Sequence, residues 1–90
     1  MQQSNRGTQQ DTDAKTCDLY MAAGLVTANI KYYTTSVLSG RVYFHFKNED
    51  GSLDKIKRDY LSRTLNVDAL TYSDNVKSLK SFCAELLKRR

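Results

Sequence analysis

Ninety residues, 40% of them hydrophobic and 27% charged, describe one small domain near the size at which a single core just suffices. No run approaches the roughly 18 apolar residues of a membrane span, and Met1–Asp13 is too polar for a signal peptide, so an intracellular location is expected. Cys17 and Cys83 are too few and too far apart for a disulfide framework or a zinc spacing, and are read as free thiols, with Cys83 a small buried hydrophobe. The formal charge of +4 is uneven: residues 1–51 hold five cations and five anions, residues 52–90 nine cations and five anions. An excess of that size in the C-terminal half is compatible with an anionic partner without requiring one.

In chain order, residues 1–15 are Gln, Ser, Asn, Thr and Asp with almost nothing apolar, which cannot offset the entropy of ordering them. They are expected to be a flexible tail, with residues 16–90 as a single α+β domain. From Asp18 the spacing Leu19, Ala22, Ala23, Val26 and Ile30 is that of one helix face, with Asp18 or Thr16 as N-cap, a stop near Ala28 and Asn29 suited to a left-handed C-terminal position. Gly24 inside this helix costs about 1 kcal/mol relative to Ala, which implies that something packs closely there.

Ile30–Val37, dense in Tyr and Thr, reads as a strand. Leu38, Ser39 and Gly40 supply a short turn onto Arg41–Lys47, the clearest strand in the chain. There Val42, Phe44 and Phe46 alternate with Arg41, Tyr43, His45 and Lys47, so one face is core and the other surface. After the polar loop Asn48–Gly51, with Asp50 or Ser52 as cap, Leu53, Ile56, Tyr60, Leu61 and Leu65 mark a second amphipathic helix. Its other face holds Lys55, Lys57, Arg58 and Arg63, with Asp54–Arg58 and Asp59–Arg63 as i,i+4 pairs. Asn66–Thr71 breaks the period. A third helix is expected from about Ser73, with Val76, Leu79, Phe82, Cys83, Leu86 and Leu87 inward. The expected order is helix, hairpin, helix, helix (αββαα), with the helices covering the hairpin's apolar face. A lone hairpin leaves open edges, so a homodimer completing it is expected too.

No phosphate loop, nucleophile elbow or zinc spacing is present, and no His, Cys, Asp or Glu stands at ligand spacing from His45. The expectation is a non-enzymatic protein without metal or cofactor. Two groups fit a binding role instead. Arg41, Tyr43 and Lys47, joined across the hairpin by Tyr32 or Tyr33 according to register, interleave cations with rings as a single-stranded nucleic-acid platform does. The same residues also suit an ordinary solvent face or a dimer surface. Lys55 and Arg58 on the second helix, with Lys77 and Lys80 on the third, would merge into a phosphate-binding patch if those helices lay side by side.

The run Cys17-Asp18-Leu19-Tyr20-Met21-Ala22-Ala23-Gly24-Leu25, then Asn29, then Gly40-Arg41-Val42-Tyr43-Phe44-His45-Phe46, resembles a family of short uncharacterised proteins of bacteria, phages and mobile elements. That family is a domain of unknown function with an Asp-Leu-Tyr-Leu-Ala-Ala-like opening and a Val-Tyr-Phe-hydrophobic-Phe strand. Asp59-Tyr60 and the segment Asn75–Leu87 fill its later positions, and the likeness spans roughly residues 17–87. The chain departs from it at Asn29-Ile30, where the family carries Asn-Gly. The resemblance implies a phage or mobile-element setting and brings no catalytic residues. Together these features point to a nucleic-acid-binding accessory protein, with a protein-binding inhibitor or adaptor acting on a host protein as the alternative.

Overall fold

The computed structural model describes residues 13–48 and 50–89. Elements run β1 (Asp13–Thr16), α1 (Leu19–Thr27), β2 (Tyr32–Leu38), β3 (Arg41–Lys47), α2 (Ser52–Leu61) and α3 (Ala69–Lys88). The α+β class and the helix, hairpin, two-helix core of the expected order are present, with one strand added in front.

That strand lies inside the segment expected to be a tail. β1 pairs antiparallel with β3, Ala14 opposite Phe46 and Thr16 opposite Phe44, so the sheet is three-stranded in the order β1-β3-β2. Four residues with a single apolar side chain carry no local strand signal. They are ordered because β3 offers a free row of backbone donors and acceptors. Residues 13–15, expected in the tail, are therefore strand, and the remainder of that expectation falls on residues outside those described.

The hairpin closes through Ser39 (φ 54°) and Gly40 (φ 76°), both left-handed, the geometry that matches the twist of the flanking strands. Val42, Phe44 and Phe46 are buried on one side, in one cluster with Met21, Ala22, Ala23, Leu25, Leu53 and Leu79 of the helices. Among the described residues helices cover that face alone, and the principal extents are 45 × 35 × 19 Å. α1 is the central helix, with Met21–Leu25 all buried and α3 and α2 both packed on it. Two bonds fasten α3 to α1: Asn75 Nδ2 donates to Thr27 Oγ1 at 2.9 Å, and Tyr72 OH to the Tyr20 carbonyl at 3.2 Å. Among the described residues no helix is long and apolar enough to cross a membrane.

Caps decide where the helices begin. Asp18 Oδ1 accepts from Tyr20 N (3.0 Å) and Met21 N (3.1 Å), while Thr16 Oγ1 accepts from Asp18 N, so both candidate caps of α1 take part. At its far end Asn29 takes φ 71° and Ile30 N donates back to the Leu25 carbonyl. Asn29 itself thus supplies the left-handed residue, and the turn needs no glycine at position 30. α2 has Gly51 at its N-cap position, with Asp50 Oδ1 taking Ser52 N (3.0 Å) and Ser52 Oγ (2.6 Å). α3 starts at Ala69, four residues before the expected Ser73. Asp68 Oδ2 accepts from Thr71 N (2.8 Å) and Thr71 Oγ1 (2.6 Å), and this cap fixes a first turn whose Leu70 faces solvent and so breaks the apolar period.

Over Gly24, a built Cβ would lie 3.5 Å from Tyr60 Cδ1 and 3.6 Å from Leu65 Cδ2. Tyr60 and Leu65 do pack there, but at distances that leave room for a methyl group.

Candidate functional site

Strand alternation places Arg41, Tyr43, His45 and Lys47 on the sheet face that no described helix covers. Register adds neighbours on both sides. On β1, Lys15 stands opposite His45 and points to the same outer face, with Asp13 at the register position opposite Lys47. On β2, Thr34 is opposite His45, Ser36 opposite Tyr43 and Leu38 opposite Arg41.

The two tyrosines left open by the sequence separate cleanly. Tyr32 is opposite Phe46 and turns into the core, its ring edge-on to Phe44 (5.2 Å between centroids) and to Phe46 (6.3 Å). Tyr33 occupies the irregularity between Tyr32 and Thr34, where the register shifts by a residue, and comes out on the open face at 51% exposure. Its ring lies edge-on to His45 at 6.2 Å.

The face therefore carries a repeated pair. Lys47 Nζ sits 4.6 Å from the centroid of the Tyr33 ring, and Lys15 Nζ sits 5.2 Å from that of Tyr43. Each ammonium is held by the negative face of a ring, a contact worth about 0.5–1 kcal/mol when exposed. His45 Nε2 and Ser36 Oγ lie 2.8 Å apart between the two pairs. Arg41, exposed beside the turn, reaches Cys17 Sγ at 3.9 Å. Lys15, Arg41 and Lys47 all come from the half of the chain whose formal charges balance, so net charge did not reveal them. Lys15 was hidden further by lying in a segment without strand pattern; its only signal was a lone cation ahead of the α1 cap.

The helical cations are placed elsewhere. Lys55 and Arg58 are on α2, Lys77 and Lys80 on α3, and those helices pack on α1 instead of on one another, in the layer behind the sheet. The side-by-side packing of α2 and α3, on which the merger of these cations into one phosphate-binding patch depended, is not formed. Lys55 Nζ pairs with Asp59 at 2.9 Å, and Lys80 Nζ lies 5.8 Å from the Tyr20 ring centroid. Among the described residues neither Asp54–Arg58 nor Asp59–Arg63 forms an ion pair. Asp54 accepts from Asn48 Nδ2 at 2.9 Å instead, and Arg63 lies beyond the helix end at φ 66°, off the i,i+4 spacing.

A cleft of about 200 Å³ opens between the end of α2 and the start of α3, lined by Tyr60, Arg63, Leu65, Val67 and Tyr72. Burial, with the Asp18 carboxylate adding to it, pushes both tyrosine hydroxyls above their ordinary pKa, so they stay neutral donors. The cleft is below the roughly 300 Å³ of small-molecule sites. No cluster of three metal-binding side chains occurs among the described residues. Cys17 is exposed and Cys83 half-buried, with burial raising the Cys83 thiol pKa. Comparison with known protein families, with curated proteins and with solved structures finds no match.

Proposed function

We propose that this chain is a small non-enzymatic nucleic-acid-binding accessory protein of phage or mobile-element type, acting inside the cell and using the open sheet face to hold a single strand. The observation that carries the reading is the twin arrangement of Lys47 over Tyr33 and Lys15 over Tyr43. A base needs a ring face, its phosphate needs a cation, and here both stand side by side twice on a rigid sheet. On binding, each ammonium slides from ring to phosphate while the ring takes a base, so the cation–π contact serves as the resting state of the site. Arg41 at the hairpin tip extends the cationic row, and Leu38 beside it offers an apolar contact. Lys55, Arg58, Lys77 and Lys80 lie in the opposite layer and contribute a general positive field, not contacts to the same strand.

Fluorescence anisotropy with labelled single-stranded and duplex oligonucleotides at low salt tests this. Wild type is expected to bind the single strand more tightly, and Tyr43→Ala to lose about 1–3 kcal/mol on the single strand alone. Absence of binding to any oligonucleotide at high protein concentration overturns the reading. A protein-binding inhibitor or adaptor is then the better account, favoured by Leu61 and Leu70, 67% and 71% exposed near the two ends of the α2–α3 connection. Capture from lysate with and without nuclease treatment separates the two classes of partner.

A further inference from the structure

The sheet ends on one side at β2, which pairs with β3 and with no other described strand. Natural edge strands are protected from pairing by charge, proline, bulges or short length. β1, at the other edge, is four residues long and carries Lys15. β2 is seven residues, Tyr-Tyr-Thr-Thr-Ser-Val-Leu, without charge, proline or glycine. Its one irregularity lies at Tyr33, which leaves Thr34–Leu38 regular.

Which backbone groups face outward follows from the turn. A two-residue loop with both residues left-handed makes Leu38 and Arg41 the hydrogen-bonded pair that closes the hairpin. By alternation Ser36 and Thr34 also bond towards β3, while Val37 and Thr35 aim their N–H and C=O at the open edge. The core is open along the same edge. Phe82 of α3 lies 6.4 Å from the Tyr32 ring and 6.5 Å from Phe44, yet is 36% exposed.

We propose that β2 pairs antiparallel with β2 of a second copy about a two-fold axis at Ser36, giving one continuous six-stranded sheet. In that register Ser36 meets Ser36, Val37 and Thr35 exchange backbone hydrogen bonds, and Leu38 meets Thr34. Every opposed pair is uncharged, so two chains of +4 meet without like charges across the strand. Val37 and Thr35 stand two residues apart, so a two-fold axis at Ser36 brings the outward groups of each against those of the other in the second copy. The dimer joins two copies of the Lys–Tyr face into one surface. That consequence rests on the proposed nucleic-acid role; the pairing itself does not.

The test is sedimentation of the nucleic-acid-free protein from about 5 to 500 µM in about 300 mM salt, where repulsion between copies is screened to a few ångströms and a small, transient interface is still populated. Wild type is expected to pass from monomer to dimer across this range. Ser36→Lys and Ser36→Glu each place like charges on the axis, and each is expected to weaken the dimer at least tenfold. Their equimolar mixture is expected to restore it as a heterodimer, which only a register with residue 36 facing itself does. Thermal unfolding of each variant controls for loss of the Ser36–His45 bond. If either fails to fold, Thr35→Pro removes an outward N–H, spares the β3 ladder, and is expected to leave a monomer. A wild-type monomer at all concentrations overturns the proposal, as does dimerisation untouched by Ser36→Lys or a mixture that stays monomeric. Dimerisation without oligonucleotide binding retires the nucleic-acid reading and keeps the interface; monomeric protein that binds does the reverse.

Discussion

Salt dependence separates the sheet face from the helical cations as the nucleic-acid contact. Lys15, Arg41 and Lys47 are the cations that the β1 and β3 strands place on the open face. For a single strand each phosphate contact contributes a slope of about −0.7 in log affinity against log salt, so three contacts give about −2. A fourfold rise from about 50 to 200 mM salt then lowers affinity roughly 20-fold. With Lys15→Gln and Lys47→Gln combined, one contact remains, and the same rise costs only about threefold. Neutralising Lys55, Arg58, Lys77 and Lys80 together is expected to leave the slope near −2, because they stand in the layer behind the sheet. Tyr43→Ala should lower affinity at every salt concentration and leave the slope unchanged, since stacking releases no counterions. Anisotropy titrations of a short labelled single strand measure all four proteins. A slope flattened by the helical set and untouched by the sheet pair would place the interface on α2 and α3 and refute this assignment.

Phe44 is 1% exposed and packed edge-on by Tyr32, so Phe44→Ala should cost about 3–5 kcal/mol in chemical denaturation; a loss under about 1 kcal/mol would mean that the sheet faces are reversed. Gly24→Ala should stabilise by about 0.5–1 kcal/mol, since the new methyl meets Tyr60 and Leu65 at ordinary contact distance and the helix gains a better former; destabilisation would show that the close approach of α2 requires glycine. The hydrogen bonds from Thr71 hold the Asp68 carboxyl below its ordinary value of 3.8, so its contribution to α3 is complete above that pH and is lost as pH falls through the lower folded value. Far-ultraviolet circular dichroism should show that acid fraying in wild type, and Asp68→Ala should already lack the capped first turn at neutral pH.

What could be read from the sequence was what local periodicity encodes. The alternation of β3, the Asp18 cap and Asn29 stop of α1, and the hairpin turn are each set by residues within a few positions of one another, and each lies close to where the pattern puts it, with Leu38, expected in the turn, instead the last residue of β2. β1 was invisible because its order comes from the free edge of β3 some thirty positions away, not from its own side chains. The start of α3 was displaced because its first turn is set by a cap while its Leu70 points outward. The choice between Tyr32 and Tyr33 was undecidable locally, since a one-residue irregularity inverts the side on which every preceding side chain emerges.

The same dependence on distant pairing shapes the site. Tyr43 and Lys47 belong to the central strand and are fixed by the core beneath them, where Phe44 and Phe46 are both 1% exposed. Their partners come from the two edges: Tyr33 from β2 through the irregularity, and Lys15 from β1 through four residues of ladder. Edge strands with few buried side chains open locally at far lower cost than the centre of a sheet. The ring of Tyr43 is therefore anchored on the central strand while the ammonium above it comes from a four-residue edge strand. Under the proposed nucleic-acid role, a base entering the face would stack on a ring of the central strand while its phosphate takes an ammonium from the edge strand.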